Sequence, residues 1–192
     1  MVSVLISLDG FYEGPGKDLA LMPFEDAFNT HNLELLQRAG TLVYGSIWFE
    51  NNWAAWSAVA ADDSQNERDH EIARLVLSLD AVVVSDSLTI DPEAPWAATT
   101  RVIARADAAT EIARLKQAQD ADLLMFGSAT TWNPLLDHGL VDELVVLVGP
   151  AVLGAGSPLY SGPGADMRLL DAQVLPGSQL VRLRYAAGRA DS

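Results

Sequence analysis

The residues best placed for chemistry form a run without a basic side chain, Phe126-Gly127-Ser128-Ala129-Thr130, at the end of the apolar stretch 123–126. The order is strand, glycine turn, helix start. Backbone N–H groups at such a turn hold an anion without any cationic side chain. A doubly wound α/β protein holds a pyrophosphate at this kind of place, although an ordinary βα connection has the same outline. Asp9 lies between an apolar strand and Gly10, where it can orient a substrate or cap the turn. Glu25 and Asp26 open the first long helical pattern and suit its positive end. His31 falls mid-helix, His70 in a polar helix and His138 at a helix C-terminus, so all three read as surface or capping residues. Gly-x-Ser-x-Gly is missing, and no His/Asp/Glu spacing suggests a metal site. Asp142 and Glu143 point to opposite faces if they begin a strand, which argues against a catalytic pair.

The elements that must position these residues alternate along the chain. A strand over 2–7 has Val2, Val4 and Ile6 on one face. A helix is expected over 25–39, stopped by Gly40. A buried strand at 41–44 ends at Gly45, followed by a short helix over 47–51 and a polar loop over 60–67. A helix over 67–77 presents Ile72, Leu75 and Val76, and the wholly apolar 81–84 reads as a central parallel strand. The next strand is 100–104. Asp107 caps a helix bearing Ile112 and Leu115. After strand 123–126, a helix over 130–138 ends at Gly139; an alternative start places Asn133 as cap and Pro134 as first helical residue. A strand at 143–148 follows. Segments 167–174 and 180–185, joined around Pro176-Gly177, form a closing antiparallel hairpin. The pattern predicts one α/β domain over 1–186, with a mixed sheet and a polar tail at 187–192.

Bulk properties narrow the function classes. A chain of 192 residues, 49% hydrophobic and 20% charged, is globular. Its net charge of −14 disfavours nucleic acid and anionic lipid as partners. It has no cysteine, so there is no disulfide, thiolate site or cysteine nucleophile. No apolar run is long enough to span a bilayer, and the N-terminus lacks secretory-signal features, so a cytoplasmic location is expected. Trp48 follows Gly45 closely and can flank a planar ligand, whereas Trp53 and Trp56 suit a core edge or a dimer surface.

Several motifs in order resemble the dihydrofolate reductase-like group, specifically relatives of the reductase domain of riboflavin biosynthesis. They are Ser7-Leu8-Asp9-Gly10-Phe11, Leu42-Val43-Tyr44-Gly45, Val83-Val84-Ser85-Asp86-Ser87-Leu88, Phe126-Gly127-Ser128-Ala129, Gly139-Leu140-Val141-Asp142-Glu143-Leu144 and Pro150-Ala151-Val152-Leu153-Gly154-Ala155-Gly156. The resemblance implies a mixed, mostly parallel sheet flanked by helices, a homodimer with the closing hairpin as contact element, and NADPH- or NADH-dependent reduction of a small, planar heterocycle or carbonyl. It places Gly45, Ser46 and Trp48 near the cofactor phosphates and Ser85, Asp86, Ser87 and Leu88 near the adenosine end. Gly127, Ser128, Ala129 and Thr130 would cradle the pyrophosphate. Asp9, Phe11, Phe49 and Phe126 would meet substrate, and Asp26 is the candidate catalytic acid. A flavin- or deazaflavin-dependent reductase, or a non-catalytic nucleotide-binding or sensory module, is the alternative.

The chain departs from the family pattern in three places. Ser46 stands where arginine or lysine is usual, and Asp86 where the strand-end arginine is usual. An arginine favours a 2′-phosphate, whereas a carboxylate accepts bonds from a free ribose diol. These two positions therefore predict a preference for NADH. Phe126 replaces a usual glutamate before the glycine turn, which disfavours a polar ribityl substrate and suits a flatter, more apolar one.

Overall fold

We describe a computed structural model of the chain, covering residues 1–187. Ten strands and five α-helices are present in these residues. In chain order they are β1 (Val2–Ile6), β2 (Phe11–Glu13), α1 (Asp26–Leu36), β3 (Ala39–Gly45), α2 (Ser46–Ala60), α3 (Glu67–Ser78), β4 (Asp80–Val84) and β5 (Thr100–Ile103). There follow α4 (Ala108–Ala118), β6 (Asp122–Phe126), α5 (Ala129–Asp137), β7 (Glu143–Val148), β8 (Ser157–Pro158), β9 (Met167–Val174) and β10 (Val181–Ala187). Of the polar tail expected at 187–192, Ala187 belongs to β10 and 188–192 lie outside the described residues. The fold is α/β, with a mixed, mostly parallel sheet, flanking helices and a C-terminal antiparallel hairpin.

The chain divides into two compact units, Met1–Phe28 with Trp132–Ser192, and Asn29–Thr131. In the second unit four parallel strands run in the order β5-β4-β3-β6. Val82, Val83, Leu42 and Leu124 are buried on them, as the apolar runs require of strands covered on both faces. Helix α3 buries Ile72, Ala73 and Val76 and is capped by Asn66, whose side chain accepts the Asp69 N–H. In the first unit β1 pairs in parallel with β7, and β7, β10 and β9 continue antiparallel. Leu5, Met22, Leu147, Leu175 and Leu180 form its core cluster. Glu143, at the start of β7, holds Arg184 of β10 through both carboxylate oxygens at 2.7 and 3.1 Å.

Three boundaries and one burial pattern differ from the sequence reading as follows. Helix α1 ends at Leu36, and Gly40 lies inside β3 instead of stopping the helix. There a Cβ would stand 2.7 Å from the Ala121 methyl, so glycine serves close approach to that side chain. Helix α2 runs to Ala60, far past 51, because Ala54, Ala55, Ala58 and Ala60 favour helix. Helix α5 starts at Ala129, with Pro134 internal, so the alternative start at Asn133 does not occur. Strand β1 is buried at all five positions, Ser3 included, and not on a single face.

Candidate functional site

Parallel pairing brings the carboxyl ends of β3, β4 and β6 side by side, since Gly45 is opposite Val84 and Leu42 opposite Leu124. Helices α2 and α5 begin at two of these ends, after Gly45 and after Ser128. Each helix start carries N–H groups without intrahelical acceptors and a partial positive charge. The cap of α2 is Gly45, which makes no side-chain capping bond.

The turn before α5 places Gly127 at φ +57° and Ser128 at φ +53°. Two successive residues at positive φ make this a tight turn immediately before the start of α5. A left-handed serine is uncommon away from functional turns. A Cβ at Gly45 would stand 3.0 Å from Thr131 Oγ1 and 4.0 Å from Ser128 Oγ, so β3 approaches this turn closely. Both hydroxyls are buried and without a hydrogen-bond partner. Ala129 is buried, whereas Thr130 is exposed and points away from the core. Thr131, missed from the sequence, is the threonine that faces Gly45. Helical phase was the only available signal for it.

At the tip of β4, Ser85 is buried and its Oγ accepts the N–H groups of Ser87 (3.2 Å) and Leu88 (3.0 Å). It therefore folds the 85–88 turn and fixes the place of Asp86. The Ser85 N–H donates to Ile103 O, which ties the ends of β4 and β5 together. Asp86 Oδ1 accepts the Arg105 N–H at 2.8 Å, and Oδ2 lies 3.6 Å from Arg105 Nε. The carboxylate is thus paired with the arginine that follows β5.

The aromatic residues divide by helical phase. Trp48, in the first turn of α2, is partly exposed beside exposed Ile47. Phe49 is 1% exposed and lies edge-on to Tyr44 and Trp96, so its expected contact with substrate is replaced by a place in the core. Trp53 packs edge-on to Trp96, and Trp56 donates its indole N–H to Asn52 Oδ1, which matches the core-edge reading. Phe126 is half-buried at the end of β6.

In the other unit Asp9 is thoroughly engaged. Its Oδ1 accepts from Ser7 Oγ at 2.6 Å and from the Leu153 N–H at 3.0 Å, and its Oδ2 accepts from the Gly154 N–H at 2.7 Å. The Ser7 hydroxyl foremost, with the two amides, holds the carboxyl down at about 2. This geometry fastens the 153–154 turn to the end of β1. Phe11 is half-buried on β2 opposite Pro158. Asp26 is exposed at the first position of α1, where it also complements the helix dipole. His31 is buried in α1 and not at the surface, His70 Nε2 meets Asp62 O, and His138 Nδ1 meets Pro134 O at the end of α5. No helix among the described residues is long and apolar enough to cross a membrane.

Comparison with known proteins agrees with this architecture. The family model of the RibD C-terminal domain matches residues 1–181. The uncharacterized protein YyaP of Bacillus subtilis (strain 168) is 26% identical over 163 residues, covering 83% of this chain and 79% of that protein. Among solved structures, a candidate riboflavin biosynthesis protein of Shewanella sp. PV-4 superposes with a TM-score of 0.69 at 21% identity, covering 98% of each chain. A diaminohydroxyphosphoribosylaminopyrimidine deaminase/5-amino-6-(5-phosphoribosylamino)uracil reductase of Thermotoga maritima has a TM-score of 0.66 at 12% identity. The match covers 97% of this chain and 56% of that longer one.

Proposed function

Because the chain belongs to the RibD C-terminal domain family, we propose that it is a nicotinamide-dependent reductase acting on a small, planar heterocyclic or carbonyl substrate. One observation carries this reading: two orphaned, buried hydroxyls, Ser128 Oγ and Thr131 Oγ1, beside a left-handed Gly127-Ser128 turn and the bare backbone of Gly45. Unpaired buried hydroxyls are costly in a folded chain. A phosphate oxygen would satisfy them, and the starts of α2 and α5 would favour its charge. No basic side chain occurs in 45–48 or 126–131, so main-chain N–H groups and hydroxyls must serve a negatively charged protein.

The residues present fit a dinucleotide. Gly45, Ser46, Gly127, Ser128 and Thr131 would hold its pyrophosphate, and Trp48 offers an apolar plane. The bound nicotinamide supplies the hydride. The reduced substrate also needs a proton from a side chain or water within hydrogen-bond reach. Phe126 suits an apolar ring better than a ribityl chain. The preference for NADH expected from Ser46 and Asp86 loses its main support, since Arg105 pairs with the Asp86 carboxylate.

The test is thermal denaturation with NADPH, NADH, flavin or deazaflavin, followed by turnover against a panel of pterins, pyrimidines and carbonyls. A raised Tm with a nicotinamide dinucleotide, and oxidation of that dinucleotide by some panel member, is expected. Binding without turnover throughout would favour the non-catalytic nucleotide-binding module. Flavin retained through purification, with no response to nicotinamide, would overturn the proposal.

A further inference from the structure

We propose that residues 155–163 form a flap that swings as one body between two glycine hinges and gates the face of Trp132. This goes beyond the reading of the chain as a reductase and does not depend on it.

The segment has no core residue to hold it. Ser157, Leu159 and Tyr160 are half-buried and the rest are exposed. Its attachments are polar and fall on two sides. Toward β2, the Ser157 hydroxyl donates to Glu13 Oε1 at 2.7 Å, the Leu159 N–H donates to Gly10 O at 2.9 Å, and β8 pairs with Phe11 and Glu13. Toward α5, Asn133 uses both ends of its amide. Its Nδ2 donates to Leu159 O at 3.3 Å, and its Oδ1 accepts the Ser161 N–H at 2.9 Å. One helical turn on, Asp137 Oδ1 accepts the Tyr160 hydroxyl. Residues four apart share a helix face, so Asn133 and Asp137 act as one latch. Hydrogen bonds within reach of water add little net stability each. A segment held by them alone opens at a lower free energy than the core.

The segment is also packed on itself. The Tyr160 hydroxyl accepts the Gly164 N–H, and a Cβ at Gly162 would collide with that same hydroxyl. Residues 160–164 thus fold around one phenol ring and move with it. The ends of the flap are set by fixed neighbours. The N–H groups of Leu153 and Gly154 are held by Asp9 at 3.0 and 2.7 Å, and β9 starts at Met167. Between these anchors stand Gly154 at φ +75° and Gly164 at φ +105°, and a Cβ at either would meet nothing within 4 Å. Glycines in open space absorb the φ/ψ change of a hinge without steric cost.

The flap closes over Trp132. The Tyr160 ring stacks on the indole, with centroids 6.3 Å apart and planes 18° apart. Trp132 is 0% exposed, and its indole N–H is buried without an acceptor. Buried indole N–H groups ordinarily have a partner. With the flap open, this unused donor and a bare aromatic plane together suit a planar ring that carries an acceptor.

The experiment is hydrogen exchange followed by NMR on the full chain and on two variants that loosen opposite sides. Asn133→Ala removes bonds on the α5 side alone, and Ser157→Ala removes the bond to Glu13 on the β2 side alone. A flap that opens as one body requires each variant to speed exchange on the far side. Asn133→Ala should speed exchange of the Leu159 N–H, held by Gly10, about tenfold. Ser157→Ala should speed the Ser161 N–H, held by Asn133, about tenfold as well. The Trp132 indole N–H should accelerate in both variants, and the N–H groups of Leu153 and Gly154 in neither. Acceleration confined to the altered side overturns the flap, because the contacts then open separately. Equal acceleration that reaches Leu153, Gly154 and the buried amides of β7 overturns it too, because the whole fold has then loosened. An indole proton unaffected by both variants overturns the gating of Trp132. Alanine favours helix more than asparagine does, so Asn133→Ala should fold; if its melting curve shows otherwise, Ser157→Ala carries the test with the same outcomes.

Discussion

Replacing Thr131 by valine should make the free protein more stable and the nucleotide-bound protein less favoured. The Thr131 hydroxyl is buried in a residue only 5% exposed and finds no partner in the chain. A buried polar group in that condition costs about 1–3 kcal/mol. Valine keeps the branched shape, and its helix propensity is close to that of threonine. A gain of about 1 kcal/mol is therefore expected, which raises Tm by about 2–4 °C for a chain of this size. The effect on binding has the opposite sign. A hydrogen bond to a charged acceptor is worth about 1.5–3 kcal/mol, so dinucleotide affinity should fall by about 10–100-fold. Differential melting reads both effects at once. At a ligand concentration of about 100 times the wild-type Kd, binding stabilises the wild type by about 2.7 kcal/mol; a tenfold weaker variant gains only about 1.4 kcal/mol. A variant with lower Tm and an undiminished ligand increment would show that the hydroxyl supports the fold alone, and the phosphate site would lose its best evidence.

Gly45→Ala tests the same pocket from the facing strand. Its φ of −88° suits alanine, but the new methyl would stand 3.0 Å from Thr131 Oγ1. Crowding costs about 1–3 kcal/mol and loss of glycine freedom in the unfolded chain returns about 0.4–1 kcal/mol; Tm should move by only a few degrees, while isothermal titration shows dinucleotide affinity down at least tenfold. Asp9 should contribute to acid stability, because its carboxyl is held at about 2 by Ser7, Leu153 and Gly154. A folded-state value below the unfolded one gives stability that is complete above about pH 4 and is lost as pH falls toward 2. Asp9→Asn should flatten that part of a pH–Tm profile, and an unchanged acid slope would assign it to other carboxylates. The exposed β9 residues Leu169, Leu170 and Val174 lie on an edge strand that suits the homodimer expected for this chain. Sedimentation should report a dimer, with Leu170→Asp shifting it to monomer; a monomeric wild type would remove that expectation.

What the sequence reveals about this site depends on how local each determinant is. The Gly127-Ser128 turn was legible because its signal lies within one apolar run and the residues that end it. The parallel strands were legible for the same reason, as Ala81–Val84 has no polar face to hide. Thr131 and Phe49 were not, because their meaning depends on helical phase. Phe49 stands three residues beyond the start of α2, where the helix turns it inward, while Ile47 and Trp48 remain outside. Helix α2 is apolar on nearly every side, so no stripe in its sequence announces that phase. Gly40 misled for a related reason: a glycine after a helical pattern reads as a stop, and its actual use is to admit Ala121 from elsewhere in the chain. Asp86 is the sharpest case. As a single letter it is a lone negative charge at a strand end, and it predicts discrimination against a phosphate. The register of β4 against β5 places an arginine from 19 residues away against it, and the local charge balance changes. A strand-end carboxylate can therefore be assigned a ligand only after the neighbouring strand's register is known, because that register decides whether the carboxylate faces the ligand or holds the group that does.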